Sequence, residues 1–358
     1  MNGLPFQLPD LSTAIVAGEL SPRLANGGDY TPLEDFVEMV KALPDESREV
    51  FHLAINEQVI ADPMEEYLSH PFVSSSQLKA ALTSPRHFKK SREEKKEGKQ
   101  ARHFELGTFI HEAILEPERF AKVVVEPKAG RNTIEGLNTL VEFYAGLVGV
   151  SEVGGGVKMA ELKEQLESLI AEAKQQGYEV VSAADKEVID AIRESIVEYG
   201  GGLIPRIMRH AQVETSMYYN DTEHGIGVRI RPDGIVLDEN LGANIIVSVK
   251  TTNAQNLNIF MRDCTKYRYA LAEGMYLEVA SRATGRKFTG TLMIMAQTVA
   301  PYNVAAIYWS LDDLNKGLEE YHRAIPIAKR VLETGEAPGF EVLAEEGNIG
   351  IIESFITN

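Results

Sequence analysis

Asp233 and Lys250 are the side chains in this sequence whose surroundings point most directly to chemistry. Asp233 lies in Arg231-Pro232-Asp233-Gly234, just after the strand-like run 227–231. Lys250 ends a nearly unbroken apolar stretch, Asn244-Ile245-Ile246-Val247-Ser248-Val249-Lys250. A short run rich in β-branched residues reads as a buried strand. Side chains alternate along a strand, so Ser248 and Lys250 share one face and Val249 takes the other. An ammonium at the end of such a strand is costly to desolvate alone. It calls for a carboxylate, and Asp233 is the nearest in sequence. On spacing alone this pair is either a structural ion pair at a sheet edge or part of a functional site.

The elements that must position these residues can be read along the chain. Residues 213–219 alternate as a strand, 220–225 form a turn, 227–231 a second strand, 235–237 its continuation, and 244–250 a third. A helix is expected over about 263–283, strands at 292–296 and 305–309, and a closing helix over about 311–334. Strands, a helix, more strands and a last helix indicate an α/β core with a mixed central sheet. Upstream, residues 1–30 are rich in Gly and Pro and read as irregular. Helices are expected from Thr31-Pro32, over about 46–60, from Ser74 to Ser84, over 105–115 (ELGTFIHEAIL), and at about 158–176 and 183–199. Residues 86–102 carry a net charge of +5 and read as a solvated linker, and 127–156 read as loop-rich.

With these residues in view, the sequence resembles the PD-(D/E)XK nuclease superfamily. GVRIRPDGIV followed by IIVSVKTT is similar to its core, where an acid in the second strand precedes an acid-x-lysine triplet in the third. SSSQLKAALTSPRHFKK and HFELGTFIHEAILEPERF resemble the N-terminal signature of the RecE/exonuclease VIII branch, which is RecB-like. YRYALAEGMYLEVA resembles the branch's tyrosine-bearing helix, and PYNVAAIYWSLDDLNKGLEEYHRAI its closing strand and helix. The likeness spans about 70–335. It implies a restriction-endonuclease-like core, a mixed central sheet flanked by helices. It also implies an N-terminal extension (1–69), a nuclease-like domain (70–335) with a helical insertion near 130–210, and a C-terminal tail (336–358).

The resemblance implies roles. Asp233 and His111 would hold Mg²⁺ or Mn²⁺, His111 through the order Gly107-x-x-x-His111. Lys250 would orient the attacking water or stabilise charge on the phosphate. Glu214 would reach the metal through water or support its ligands. Arg231, Thr251, Thr252, Tyr276, Lys89 and Lys90 would line the path of DNA. One departure matters: Ser248 stands where the triplet's acid belongs. A hydroxyl is a poor ligand for a cation that prefers anionic oxygen. Glu273, three residues before Tyr276 and so near the same helix face, is the candidate for a migrated acid. Glu112 beside His111 is a poorer one, because adjacent helix residues diverge by about 100°.

The activity so implied is that of a phage- or prophage-type exonuclease degrading linear duplex DNA for recombination, in the cytoplasm of a host cell. It would work beside a single-strand annealing protein and could close into a homo-oligomeric ring. A nuclease fold that binds DNA or a partner without cutting, and an endonuclease, are the competing readings.

Composition sets the outer limits. One cysteine, Cys264, excludes a disulfide framework or a four-cysteine metal site. No apolar run approaches the roughly 20 residues that cross a bilayer, and no signal-peptide pattern is read at the start. No G-x-x-x-x-G-K-[ST] motif supports a motor ATPase. The net charge of −17 is unevenly spread: residues 86–102 hold +5 and 227–287 hold +3, leaving −25 on the rest. Phosphate contacts depend on local charge, so the acidity excludes a generally basic coat but not DNA.

Overall fold

Pro32 opens the first helix of the computed structural model, which describes residues 30–44, 59–60, 62–93, 110–111, 115, 123–150, 158–344 and 352. Helix α1 (Leu33–Ala42) buries Phe36 and Val40. It docks on the body: Phe36 stacks on Tyr308 at 4.5 Å between centroids, and the Tyr308 hydroxyl donates to the Thr31 carbonyl at 2.8 Å. Strand β1 (Val59–Ile60) closes a stretch expected to be helical; it pairs with β6 (Ser216–Asp221), while most of 46–60 lies outside the described residues. The calls on 1–29 also lie outside them.

Helix α2 (Met64–Ser69) and strand β2 (Val73–Ser74) lead into α3 (Ser75–Thr83), which a capping box between Ser74 and Gln77 starts. Ser84 ends α3 in an extended conformation before Pro85, as the pre-proline restriction requires. The run expected to be a solvated linker begins instead as α4 (Pro85–Glu93). Proline suits a first helical position, and fully buried Phe88 anchors the turn in the core.

Strand β3 (Val123–Val125), α5 (Ile134–Val148), α6 (Met159–Gln175) and β4 (Glu179–Val181) form a unit with its own core of Leu137, Leu140, Val141, Tyr144, Leu162, Leu166 and Leu169. This unit occupies 123–181 rather than 130–210. Helix α7 (Ala183–Glu198) and α8 (Leu203–Met208) pack instead against the main sheet through Ile192, Ile196, Ile204 and Ile207. The expected loop over 127–156 holds a helix at 134–148, and 151–156 lie outside the described residues. Its glycines misled because Gly136 serves a close approach: a Cβ there would meet the Gly130 carbonyl oxygen at 2.2 Å.

Strands β5 (Ala211–Val213), β6, β7 (Ile226–Ile230), β8 (Gly234–Val236) and β9 (Asn244–Thr252) follow, with the short helix α9 (Asp238–Leu241) between β8 and β9. After β9 come α10 (Leu257–Lys266), α11 (Tyr269–Thr284), β10 (Phe288–Gln297), β11 (Val304–Tyr308) and α12 (Leu311–Thr334). One helix was expected where α10 and α11 stand; Arg268 breaks it with φ +49°. A four-stranded sheet runs β1-β6-β7-β2 and a five-stranded one β11-β10-β9-β8-β5. In the second, β9 and β10 are parallel and the other pairings antiparallel. The sheets are mixed and flanked by helices, as the α/β reading requires. The chain passes from the first sheet to the second through Arg231-Pro232-Asp233, the link between β7 and β8.

Strand β9 divides two cores. Ile246 faces the one shared with α3, α11 and α12, and Ile245, Val247 and Val249 face the one shared with α1, α7 and α8. Ser248 and Lys250, in phase with Ile246, thus look toward α11. Helices α11 and α12 touch through glycine: a Cβ at Gly317 would meet the Ala270 carbonyl oxygen at 2.0 Å. Gly317→Ala is expected to cost about 2–3 kcal/mol by prising α11 from α12. Gly146→Ala, inside α5 with nothing within 4 Å of the new Cβ, should gain about 0.5–1 kcal/mol. Denaturant melts of the two variants check both signs. Among the described residues no helix is long and apolar enough to cross a membrane.

Candidate active site

Proline lacks the N–H that a sheet ladder needs, and Pro232 stands between the end of β7 in one sheet and the start of β8 in the other. Asp233 follows it, and its carboxylate gathers groups from two other elements. Oδ1 lies 2.8 Å from Nε2 of His111, in a helical segment at 110–111. Oδ2 accepts the Val249 N–H at 2.5 Å and the Lys250 ammonium at 3.5 Å. Lys250 also donates to the Val249 carbonyl at 3.0 Å. The three side chains keep 17% (Asp233), 29% (His111) and 26% (Lys250) of their surface exposed, so the cluster opens to solvent.

Charge in this cluster is strongly organised. Burial works to raise the Asp233 pKa, but the Lys250 charge, the His111 contact and the Val249 N–H together hold it down at about 2. Burial pulls Lys250 down, and Asp233 and Glu273 more than restore it, keeping it above its ordinary value. His111 is likewise raised: burial lowers it, and the hydrogen bond and charge of Asp233 outweigh that. The centre is the Asp233 carboxylate held between the Lys250 ammonium and the His111 ring.

Glu273 on α11 is fully buried, and among the described residues neither carboxylate oxygen has a hydrogen-bond partner. Burial pushes its pKa up to about 7, against the lowering influence of Lys250 and of the Ser248 hydroxyl. Ser248 is fully buried too, and its hydroxyl has no formed hydrogen bond. It is a polar neighbour of Glu273 rather than a bonded partner. The position lacking its acid and the candidate replacement therefore face each other from β9 and α11.

Glu214 sits beside this centre and not in it. Its N–H donates to the Asp233 carbonyl at 3.2 Å, and its carboxylate accepts from Arg231 Nη2 at 2.9 Å. Its φ of +51° is an uncommon conformation for a side chain of this kind. Arg231 is not available to DNA. It also donates to the Asp62 carbonyl at 2.7 Å and to Ser216 Oγ at 2.8 Å, and its side chain is 9% exposed. The resemblance implied a DNA contact for Arg231; the guanidinium is spent on holding the fold.

Thr251 and Thr252 are half-buried at the end of β9, and the Thr252 hydroxyl accepts the Ala254 N–H at 3.0 Å. Tyr276 is half-buried on α11; burial, then Tyr67, Asp233 and Glu273, raise its pKa well above the ordinary value. Lys89 and Lys90 are exposed on α4, where Lys89 donates to the Gly335 carbonyl at 3.4 Å. Glu112 and Gly107 lie outside the described residues. Sequence reasoning missed Lys79, whose ammonium sits 5.2 Å over the Tyr269 ring and acts on the same field. A lysine inside an amphipathic helix carries no signal of this.

The donor set fits a hard divalent cation. Asp233 and His111 already converge, and Glu273 offers two buried oxygens without partners. Among the described residues no three His, Cys, Asp or Glu side chains stand together as a ready metal cage.

A family model described as a PDDEXK-like domain of unknown function (DUF3799) matches residues 74–345. No curated protein matches the sequence. Among solved structures, a Eubacterium rectale protein described as a candidate exonuclease is similar at 13% identity and TM-score 0.42, over 83% of this chain and 97% of its own. A second, SSO0001, is similar at 13% identity and TM-score 0.22, over 60% of this chain and 84% of its own.

Proposed function

The chain belongs to the PDDEXK-like family DUF3799, of the PD-(D/E)XK superfamily, and from that premise we propose that it is a divalent-metal-dependent deoxyribonuclease degrading linear duplex DNA from its ends. One observation carries the proposal: Asp233 holds His111 at 2.8 Å and Lys250 at 3.5 Å, with the unpartnered Glu273 carboxylate alongside. A plain structural ion pair needs neither the histidine nor a second buried acid.

When bound, a divalent ion would supply Lewis acidity, lowering the pKa of a water and countering charge on the phosphate oxygens. Asp233 and His111 would hold it, and Glu273 would replace the acid that Ser248 lacks. Lys250, kept protonated by its neighbours, would orient the attacking water and meet the phosphate oxygen as charge develops. Glu214 would support the backbone of Asp233 and fix Arg231. Thr251, Thr252 and Tyr276 would border the strand being cut.

The finer parts of this reading rest on the resemblance of the N-terminal and tyrosine-bearing motifs. They are Mg²⁺ or Mn²⁺ as the ion, recombination in a phage or prophage setting, action in the host cytoplasm, an annealing protein as partner and a homo-oligomeric ring. The domain limits at 70 and 335 belong to the same proposal. Linear, closed-circular and nicked duplexes incubated with Mg²⁺ or Mn²⁺ test it. Loss of the linear form alone is expected. Cutting of closed circles would favour an endonuclease. No cutting of any form would leave a binding protein on a nuclease fold.

A further inference from the structure

Two helix faces oppose each other beside Lys250. Tyr269, Glu273 and Tyr276 fall at i, i+4 and i+7 on α11, which puts them on one side. Ser75 and Lys79 fall at i and i+4 on α3, and α3 packs against both α11 and α12. Ser75 lies against Tyr276, and Lys79 against Tyr269. The start of α3 is fixed to the strand leading to Asp233, because β2 pairs in parallel with β7 through Ser74 and Arg229.

Lys79 is half-buried and, among the described residues, pairs with no carboxylate. The acids nearest in charge are not free to serve. Glu320 is bound by Arg268, and Glu273 is the buried carboxylate assigned above to the metal. Burial and the neighbouring Lys250 charge pull the Lys79 pKa down to about 8, the cost of a cation held near another without an anion. Holding a partly desolvated ammonium there is unfavourable unless something anionic arrives.

We propose that Lys79 on α3 is a substrate-binding residue that contacts a phosphate of the DNA strand passing the end of β9 beside α3 and α11. The inference rests on the deoxyribonuclease reading and deepens it, because it assigns a second lysine, from a different element, to the strand that Lys250 meets. The Tyr269 ring lies beneath the ammonium. The Lys79 contact is to the backbone and so carries no base preference.

Binding of a short linear duplex, measured with Ca²⁺ in place of Mg²⁺ across a series of salt concentrations, tests the assignment. A lysine on a phosphate adds about one unit to the slope of log affinity against log salt. Lys79→Met should weaken binding about 5- to 20-fold at 0.1 M salt and lower that slope by about one. Lys79→Arg should keep the wild-type slope. A structural role would lower the melting temperature of Lys79→Met without changing the slope. Unchanged slope and affinity in a folded Lys79→Met protein would overturn the assignment while leaving the nuclease reading intact. Failure of the wild type both to bind and to cut duplex would instead overturn the nuclease reading and this assignment with it.

Discussion

Asparagine at position 233 is expected to reduce DNA hydrolysis by about 10³-fold or more while leaving the chain folded. The change removes one anionic oxygen at the point where His111, Lys250 and the Val249 N–H meet. A neutral amide cannot balance the Lys250 ammonium, and it weakens any divalent cation held with His111. The same change should lower stability near neutral pH. The Asp233 pKa of about 2 lies below the ordinary 3.8, so its stabilising contribution is present above about pH 4 and is lost as pH falls toward 2. That contribution is roughly 2 kcal/mol at pH 7. Circular dichroism and melts of Asp233→Asn, run beside the cleavage assay, separate the two effects. A folded variant that still cuts at the wild-type rate would remove Asp233 from the chemistry.

Glu273→Gln is expected to act in the opposite direction on stability and in the same direction on function. Burial raises this carboxyl to about 7 from 4.5. A raised acid pKa means that the folded state favours the proton, so the contribution of Glu273 is most favourable at low pH and is lost as pH rises through about 7. In the metal-free protein at pH 8, charging the buried group costs on the order of 2–3 kcal/mol, and glutamine avoids that cost. The variant should be more stable than wild type at pH 8 and close to it at pH 5. Divalent ions should reverse the order. The wild type gains stability from any ion that binds the native state, and Glu273→Gln, having lost a ligand, should gain little. Thermal melts at pH 5 and pH 8, with and without 5 mM-scale Mn²⁺, read all four corners (concentration on the order of the millimolar excess that mass action needs). Equal Mn²⁺ shifts in both proteins would show that Glu273 is not a ligand. A residue that destabilises the resting protein and persists in its core is the pattern expected of a functional group.

What the sequence revealed depended on how local the determinants were. The strands around Asp233 and Lys250 were readable because alternation and β-branching are properties of neighbouring residues. The division of β9 into Ser248 and Lys250 on one side and Val249 on the other follows from that period alone. Helix α5 was not readable, because Gly136 and Gly146 are ordinarily loop residues, and the close approach to Gly130 that makes a glycine necessary at 136 is a tertiary fact. The break at Arg268 carries neither glycine nor proline to announce it. In the candidate site, helix spacing from Tyr276 singled out Glu273, but its burial and missing partners depend on β9 and α3 packing over α11. Arg231 shows the converse. The resemblance implied a DNA contact for it, and only the fold brings Glu214, Ser216 and the Asp62 carbonyl to occupy it.

The central claim is that a metal-dependent nuclease site survives here because the acid missing at Ser248 is supplied by Glu273. The most direct test is to move the acid back. Mn²⁺-dependent release of nucleotides from linear duplex is measured for wild type, Glu273→Gln and the double variant Ser248→Asp/Glu273→Gln. The account predicts activity in the wild type, a loss of about 10²-fold in Glu273→Gln, and recovery of at least about tenfold in the double variant. Wild-type rates in Glu273→Gln, or no metal-dependent release from the wild type itself, would contradict it.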